Sequence, residues 1–124
     1  MEVKDDIRFY FNHSPLGVIS GIAIGEEGDI IASYKLETEQ DTFYLHGRPC
    51  QSVVLTVVCK EHGVKVYNIF EKILSKYSAD DQKFQTGSPG GIRCRWRICN
   101  DRVERAFEEI SETLENSFLG AFRA

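Results

Sequence analysis

Three arginines at alternate positions carry the clearest chemical signal in the chain. Ile92-Arg93-Cys94-Arg95-Trp96-Arg97-Ile98 alternates strictly between apolar and cationic residues, the period-two pattern of a strand with one buried face. Arg93, Arg95 and Arg97 therefore share one face, and Cys94, Trp96 and Ile98 share the other. Alternate side chains on a strand stand about 7 Å apart, close to the phosphate spacing along a single nucleic-acid strand. Residues 7–11 alternate in the same way, and their polar face offers Arg8 and Tyr10, a charge and a stacking ring. Together Arg93, Arg95, Arg97, Arg8 and Tyr10 form a candidate surface for an anion, a nucleic acid or an acidic partner protein. The competing explanation is cross-strand pairing of these arginines with Asp or Glu, which is common and mildly stabilising. A formal net charge of −4 weighs toward that explanation and against a general affinity for nucleic acid or anionic membranes, with an acidic partner protein and a nucleic acid standing about equal as ligands of the stripe.

A second group, His46-x3-Cys50 and Cys59-x2-His62, has the ligand inventory of a zinc site. Its spacing is not that of zinc knuckles, because Cys59 closes the strongly apolar segment 53–59, where a cysteine is a small core residue. Cys94 and Cys99 fall on opposite faces of one strand and cannot pair there; Cys94 is expected in the core and Cys99 at an exposed strand end. Without an activating cation aimed at a thiol, thiol catalysis has little support. Gly87-Ser88-Pro89-Gly90-Gly91 lacks the Lys-Ser/Thr of a P-loop, and no dinucleotide fingerprint is present. No catalytic residue, metal or cofactor is assigned, and the balance is against an enzyme.

These side chains need elements to hold them. Strands are expected at 7–11, 17–24, 29–36, 42–45 and 52–60, and the arginine strand runs from 92 to 99. Gly25-Glu26-Glu27-Gly28 is the clearest hairpin connection. Gly17, Gly21 and Gly25 leave one strand face almost bare, which marks a bulge or a close approach by another backbone. Glu37 to Asp41 is polar and acidic and is expected to break the chain, and 78–91 is expected to be a long exposed loop. Helical spacing covers about 65–77, through Val66, Ile69, Phe70, Ile73, Leu74 and Tyr77, and about 101–122, through Val103, Ala106, Phe107, Ile110, Leu114, Phe118 and Phe122. The apolar end of the chain, Phe118, Leu119 and Phe122, is a candidate interface.

The order implies an α+β fold: a mixed or antiparallel sheet of about five to six strands with both helices on one face. A small barrel closed by the C-terminal helix is the alternative. The 124 residues suit a single domain spanning 1–124, and 42% hydrophobic content with eight Phe supplies its core. No apolar run nears the roughly 20 residues of a membrane helix, and the charged start, Met1 to Asp6, does not resemble a signal peptide. A cytoplasmic location with reduced cysteines is expected. The functional expectation is a non-catalytic binding or scaffold domain that acts through a protein partner or a homo-oligomer. Nucleic-acid binding through the arginine face is the alternative, and a metal- or thiol-dependent enzyme stands third.

Overall fold

A computed structural model of the chain describes residues 8–14, 17–25, 28–59, 63–88, 91–116 and 122–123. The strands are β1 (Arg8–Ser14), β2 (Val18–Ile24), β3 (Ile30–Leu45), β4 (Arg48–Cys59), β5 (Ser78–Ser88), β6 (Gly91–Cys99) and β7 (Phe122–Arg123), and the helices are α1 (Gly63–Tyr77) and α2 (Asn100–Asn116). The strands form one open sheet in the order β5-β6-β4-β3-β2-β1-β7. Every pairing is antiparallel except the short parallel one between β1 and β7. Because the sheet ends at β5 on one side and β7 on the other, it is not the closed barrel.

Alternation fixes which side of each strand is buried. Phe9, Phe11, Ile19, Tyr34, Leu36, Val53, Leu55, Val57, Cys94, Trp96 and Ile98 all belong to one core. Onto it both helices press their apolar stripes, Val66, Phe70, Ile73 and Leu74 from α1 and Ala106, Phe107, Ile110 and Leu114 from α2. Trp96 lies at its centre, 1% exposed. Its ring stacks on Tyr67 at 6.3 Å, and its indole N–H donates to Ser75 Oγ at 3.4 Å. The helices are joined at their outer edge by Lys76 Nζ and Glu109 Oε1, 2.6 Å apart. That carboxylate also accepts from the Tyr77 hydroxyl at 3.2 Å and holds the Lys76 ammonium above its usual range. Ser111, buried on α2, reaches His13 Nδ1 of β1 at 2.9 Å and ties the helix to the β1 end of the sheet.

The turns follow the expected chemistry. Gly25 N–H donates to Asp29 O at 2.9 Å and Gly28 N–H to Gly25 O at 3.0 Å, which closes the β2–β3 hairpin. The β3–β4 connection is the pair His46-Gly47, with φ of 52° and 78°, the doubly positive geometry that matches strand twist in tight hairpins. At the β1–β2 contact, Phe11 faces Gly21 across the ladder. There a Cβ on residue 21 would stand only 2.0 Å from Tyr10 O. Of Gly17, Gly21 and Gly25, Gly21 is the one that marks a close approach of backbones.

Three expectations are corrected. Residues 78–88 are not a loop but the edge strand β5, paired with β6 from Ser78↔Ile98 to Ser88↔Gly91. An edge strand is held by main-chain hydrogen bonds to one neighbour, so its side chains need not alternate. The acidic stretch after Leu36 does not break the chain either. Strand β3 runs through it for 16 residues and absorbs the surplus in a bulge between Thr38 and Thr42. Finally, α2 ends at Asn116 and Phe122 lies in β7, beside Tyr10 of β1. Phe118 and Leu119 lie outside the described residues.

Candidate functional site

Since both helices pack on one side, the opposite face of the sheet carries the even positions of β4 and the odd positions of β6. The register there gives three adjacent rows. Ser52 faces Arg97, Val54 faces Arg95, and Thr56 faces Arg93. On the far side of β4, Glu37 faces Val54 and Lys35 faces Thr56. The expected arginine triplet is therefore real as a surface row, with Arg93 exposed and Arg95 and Arg97 half-buried.

The row is not uniform. Arg95 Nη2 donates to Glu39 Oε1 at 2.6 Å, and both side chains remain partly open to solvent. Its Nε is buried and has no hydrogen-bond partner. The Arg97 guanidinium lies 5.7 Å from the centroid of the Phe43 ring, within cation–π range. Phe43, Ser52, Arg95 and Arg97 line an open-sided pocket of about 460 Å³. Its lining thus combines two arginines, a serine and an aromatic ring. Such a site can hold a carboxylate or phosphate by charge-assisted hydrogen bonds while its carrier stacks on the ring.

The bulge in β3 makes this possible. Across β4, Thr38 pairs with Val53 and Thr42 with Gln51, so the extra residues let Phe43 return to the open face opposite Cys50. From there its ring meets Arg97. Glu39, Phe43 and Ser52 escaped the sequence-based reading because their roles depend on a register between segments some fifty residues apart. No local signal in the acidic run 37–41 marked the bulge that places Glu39 and Phe43.

Arg8 and Tyr10 do not join this group. They lie on β1, four strands from β6, which is roughly 19 Å at ordinary strand spacing. Arg8 faces Ile24, and the row of Tyr10 runs through Ile22 and Ser33 to Val58 and Gly91. At this end the face is apolar, and Val58 is 56% exposed. Ile22, half-buried, stands two strands away in the same row. From Ser52 to Val58 along β4 the open face thus passes from a cationic, aromatic end to an apolar one over roughly 20 Å.

The zinc grouping does not assemble. Cys50 and Cys59 stand nine residues apart on one continuous strand, roughly 30 Å, and His46 is exposed in the β3–β4 turn. His62 lies outside the described residues. Among the described residues no cluster of His, Cys, Asp or Glu is arranged to hold a metal ion. Cys94 is buried in the core as expected, but Cys99 is also buried rather than exposed. Burial pushes the Tyr34 and Tyr67 phenols well above their ordinary range, so both stay neutral and act as packing groups. No described helix is long and apolar enough to cross a membrane. Comparison with models of protein families, with curated proteins and with solved structures finds no match to this chain.

Proposed function

We propose that the chain is a non-catalytic protein-interaction domain whose uncovered sheet face is the docking surface. The observation that carries this reading is the asymmetry of the sheet: two helices bury one side, and no described element covers the other. The partner segment presents an acidic side chain to Arg95 and Arg97, with its neighbour against Phe43, and lays apolar side chains toward Ile22 and Val58. Arg93 and Lys35 border the path between the two ends. A partner that is a second copy of this chain fits the same surface, which has acidic as well as basic groups, and a homo-oligomer would then be isologous.

The arginine row with an adjacent ring also resembles a single-strand nucleic-acid platform, but Glu39 already engages one of its guanidiniums. Fluorescence polarisation of a labelled Glu- and Leu-containing peptide, beside labelled single-stranded RNA and DNA, separates the readings. Wild type and Arg95→Ala/Arg97→Ala are compared at two salt concentrations, with sedimentation equilibrium for self-association. Peptide binding or self-association that falls at least tenfold in the double variant supports the proposal. Tighter, steeply salt-dependent binding of RNA or DNA would replace it with the nucleic-acid reading. A folded wild type that stays monomeric and binds none of the probes would refute both.

A further inference from the structure

Cys50 and Cys99 come from segments 49 residues apart in sequence, yet the β4–β6 register sets them directly opposite each other. Their sulfurs are 3.7 Å apart, both side chains are buried, and both thiols are reduced. Directly opposed residues of antiparallel strands have Cα atoms about 4.5–5.5 Å apart, inside the range that a disulfide spans. Closing 3.7 Å to a bonded distance of about 2.05 Å is a rotation of two side chains on strands already within the span of a disulfide. Cys94, by contrast, faces Leu55 on one side and Gln85 on the other, so it has no thiol opposite.

We propose that Cys50 and Cys99 are a redox modification site that closes to a cross-strand disulfide on reaction with a low-molecular-weight disulfide such as oxidised glutathione. Cys99, slightly exposed where Cys50 is fully buried, attacks first as the thiolate, forms a mixed disulfide and releases one glutathione thiolate. Cys50 then displaces the second glutathione and forms the Cys50–Cys99 bond. Two electrons pass from the protein dithiol to the oxidant, and the two cysteine protons end on the two glutathione thiols. Burial and the neighbouring Cys99 thiol push the Cys50 thiol above its ordinary range, which disfavours it as the first nucleophile; its place in the second step rests on the 3.7 Å that holds it beside the Cys99 sulfur.

Phe43 stands opposite Cys50 on the other neighbouring strand and lines the pocket with Ser52 and Arg97, each two residues inward from a cysteine. The ring therefore controls access of the oxidant from the open face, and the bond fixes β4 to β6 at the pocket's edge.

The test treats the full chain with glutathione buffers of increasing oxidised fraction, followed by non-reducing peptide mapping and thermal melts. The expected product is a single chain lighter by two hydrogens, with an intramolecular Cys50–Cys99 linkage and a Tm higher by about 10 °C. Cys99→Ser and Cys50→Ala each abolish the linkage and the Tm shift, Cys94→Ser keeps both, and Phe43→Ala accelerates closure. A stable glutathione adduct, a linkage through Cys94 or Cys59, or absence of the bond in both wild type and Phe43→Ala would overturn the proposal.

Discussion

Replacing Gly21 by alanine tests the architecture at its tightest point. The new Cβ would stand 2.0 Å from Tyr10 O and 2.8 Å from Phe11 Cα, whereas carbon contacts settle near 3.5–4.0 Å. All the offending atoms belong to backbone, so no rotamer relieves them. Strand β1 must move away by roughly 1.5 Å, enough to lengthen its ladder hydrogen bonds past useful geometry. Overpacking alone costs about 1–3 kcal/mol. A displaced β1 also loosens Phe9 and Phe11, 1% and 3% exposed, each contributing about 1.5–3 kcal/mol by burial. The expected loss is about 3–5 kcal/mol, a large share of the 5–15 kcal/mol typical of a domain. Urea unfolding followed by Trp96 fluorescence measures it, and hydrogen exchange should show the increase concentrated in β1 and β2. Gly47→Ala is the control, because its Cβ meets nothing within 4 Å and only the φ of 78° is unfavourable, at about 1 kcal/mol. A Gly21→Ala protein within 1 kcal/mol of wild type, or one no weaker than Gly47→Ala, would refute the reasoning.

Two further expectations follow from the charged and phenolic groups. Tyr34 is buried and its folded-state pKa is raised, while the unfolded phenol titrates near 10; the folded state therefore holds the proton longer, and stability is full below about pH 10 and falls above it by up to about 1.4 kcal/mol per pH unit. Tyr34→Phe should flatten that alkaline slope in urea titrations at successive pH values, and an unchanged slope would discount the burial of this phenol as its source. Glu39→Gln removes the carboxylate bonded to Arg95 and should tighten binding of an acidic peptide about threefold to tenfold, a gain of about 0.6–1.4 kcal/mol in line with a partly exposed ion pair; unchanged or weaker binding would place the peptide elsewhere.

Much of this fold is legible because burial writes itself into spacing. The alternation through Arg93, Arg95 and Arg97, the helical stripe of α1 and that of α2 as far as Leu114 appear in the structure as the sequence implies, since each must bury one face. Strand β5 lacks that signature: it is polar, lies at an edge and depends on the β6 backbone for its form. The bulge in β3 is equally silent, because Glu39 keeps its side chain at the surface and costs nothing that composition could reveal. Site geometry suffers most. Arg97 with Phe43, Arg95 with Glu39 and Cys50 with Cys99 are pairs set by register between distant strands, and a one-residue slip would dissolve all three. Arg8 and Tyr10, with the right residue types and the right face, were separated from the triplet by strand order, which no local pattern encodes.

The open face also explains how a one-sided sheet tolerates its own exposure. Val54 points away from the helices, yet it is 1% exposed, because it lies between Arg95 and Glu37 in the register. The apolar stems of long charged side chains can cover such a residue while their heads stay in water. At the other end, Val58 faces Gly91 on β6 and Ser33 on β3, neighbours too short to shield it, and it remains exposed. The same sheet therefore has a self-covered cationic region and an uncovered apolar one. A partner that displaced the Arg95–Glu39 contact would uncover Val54 and extend the apolar surface toward Val58. Its binding would then bury more apolar area than the free face displays, and a heat-capacity change larger in magnitude than the exposed surface alone predicts would be its calorimetric mark.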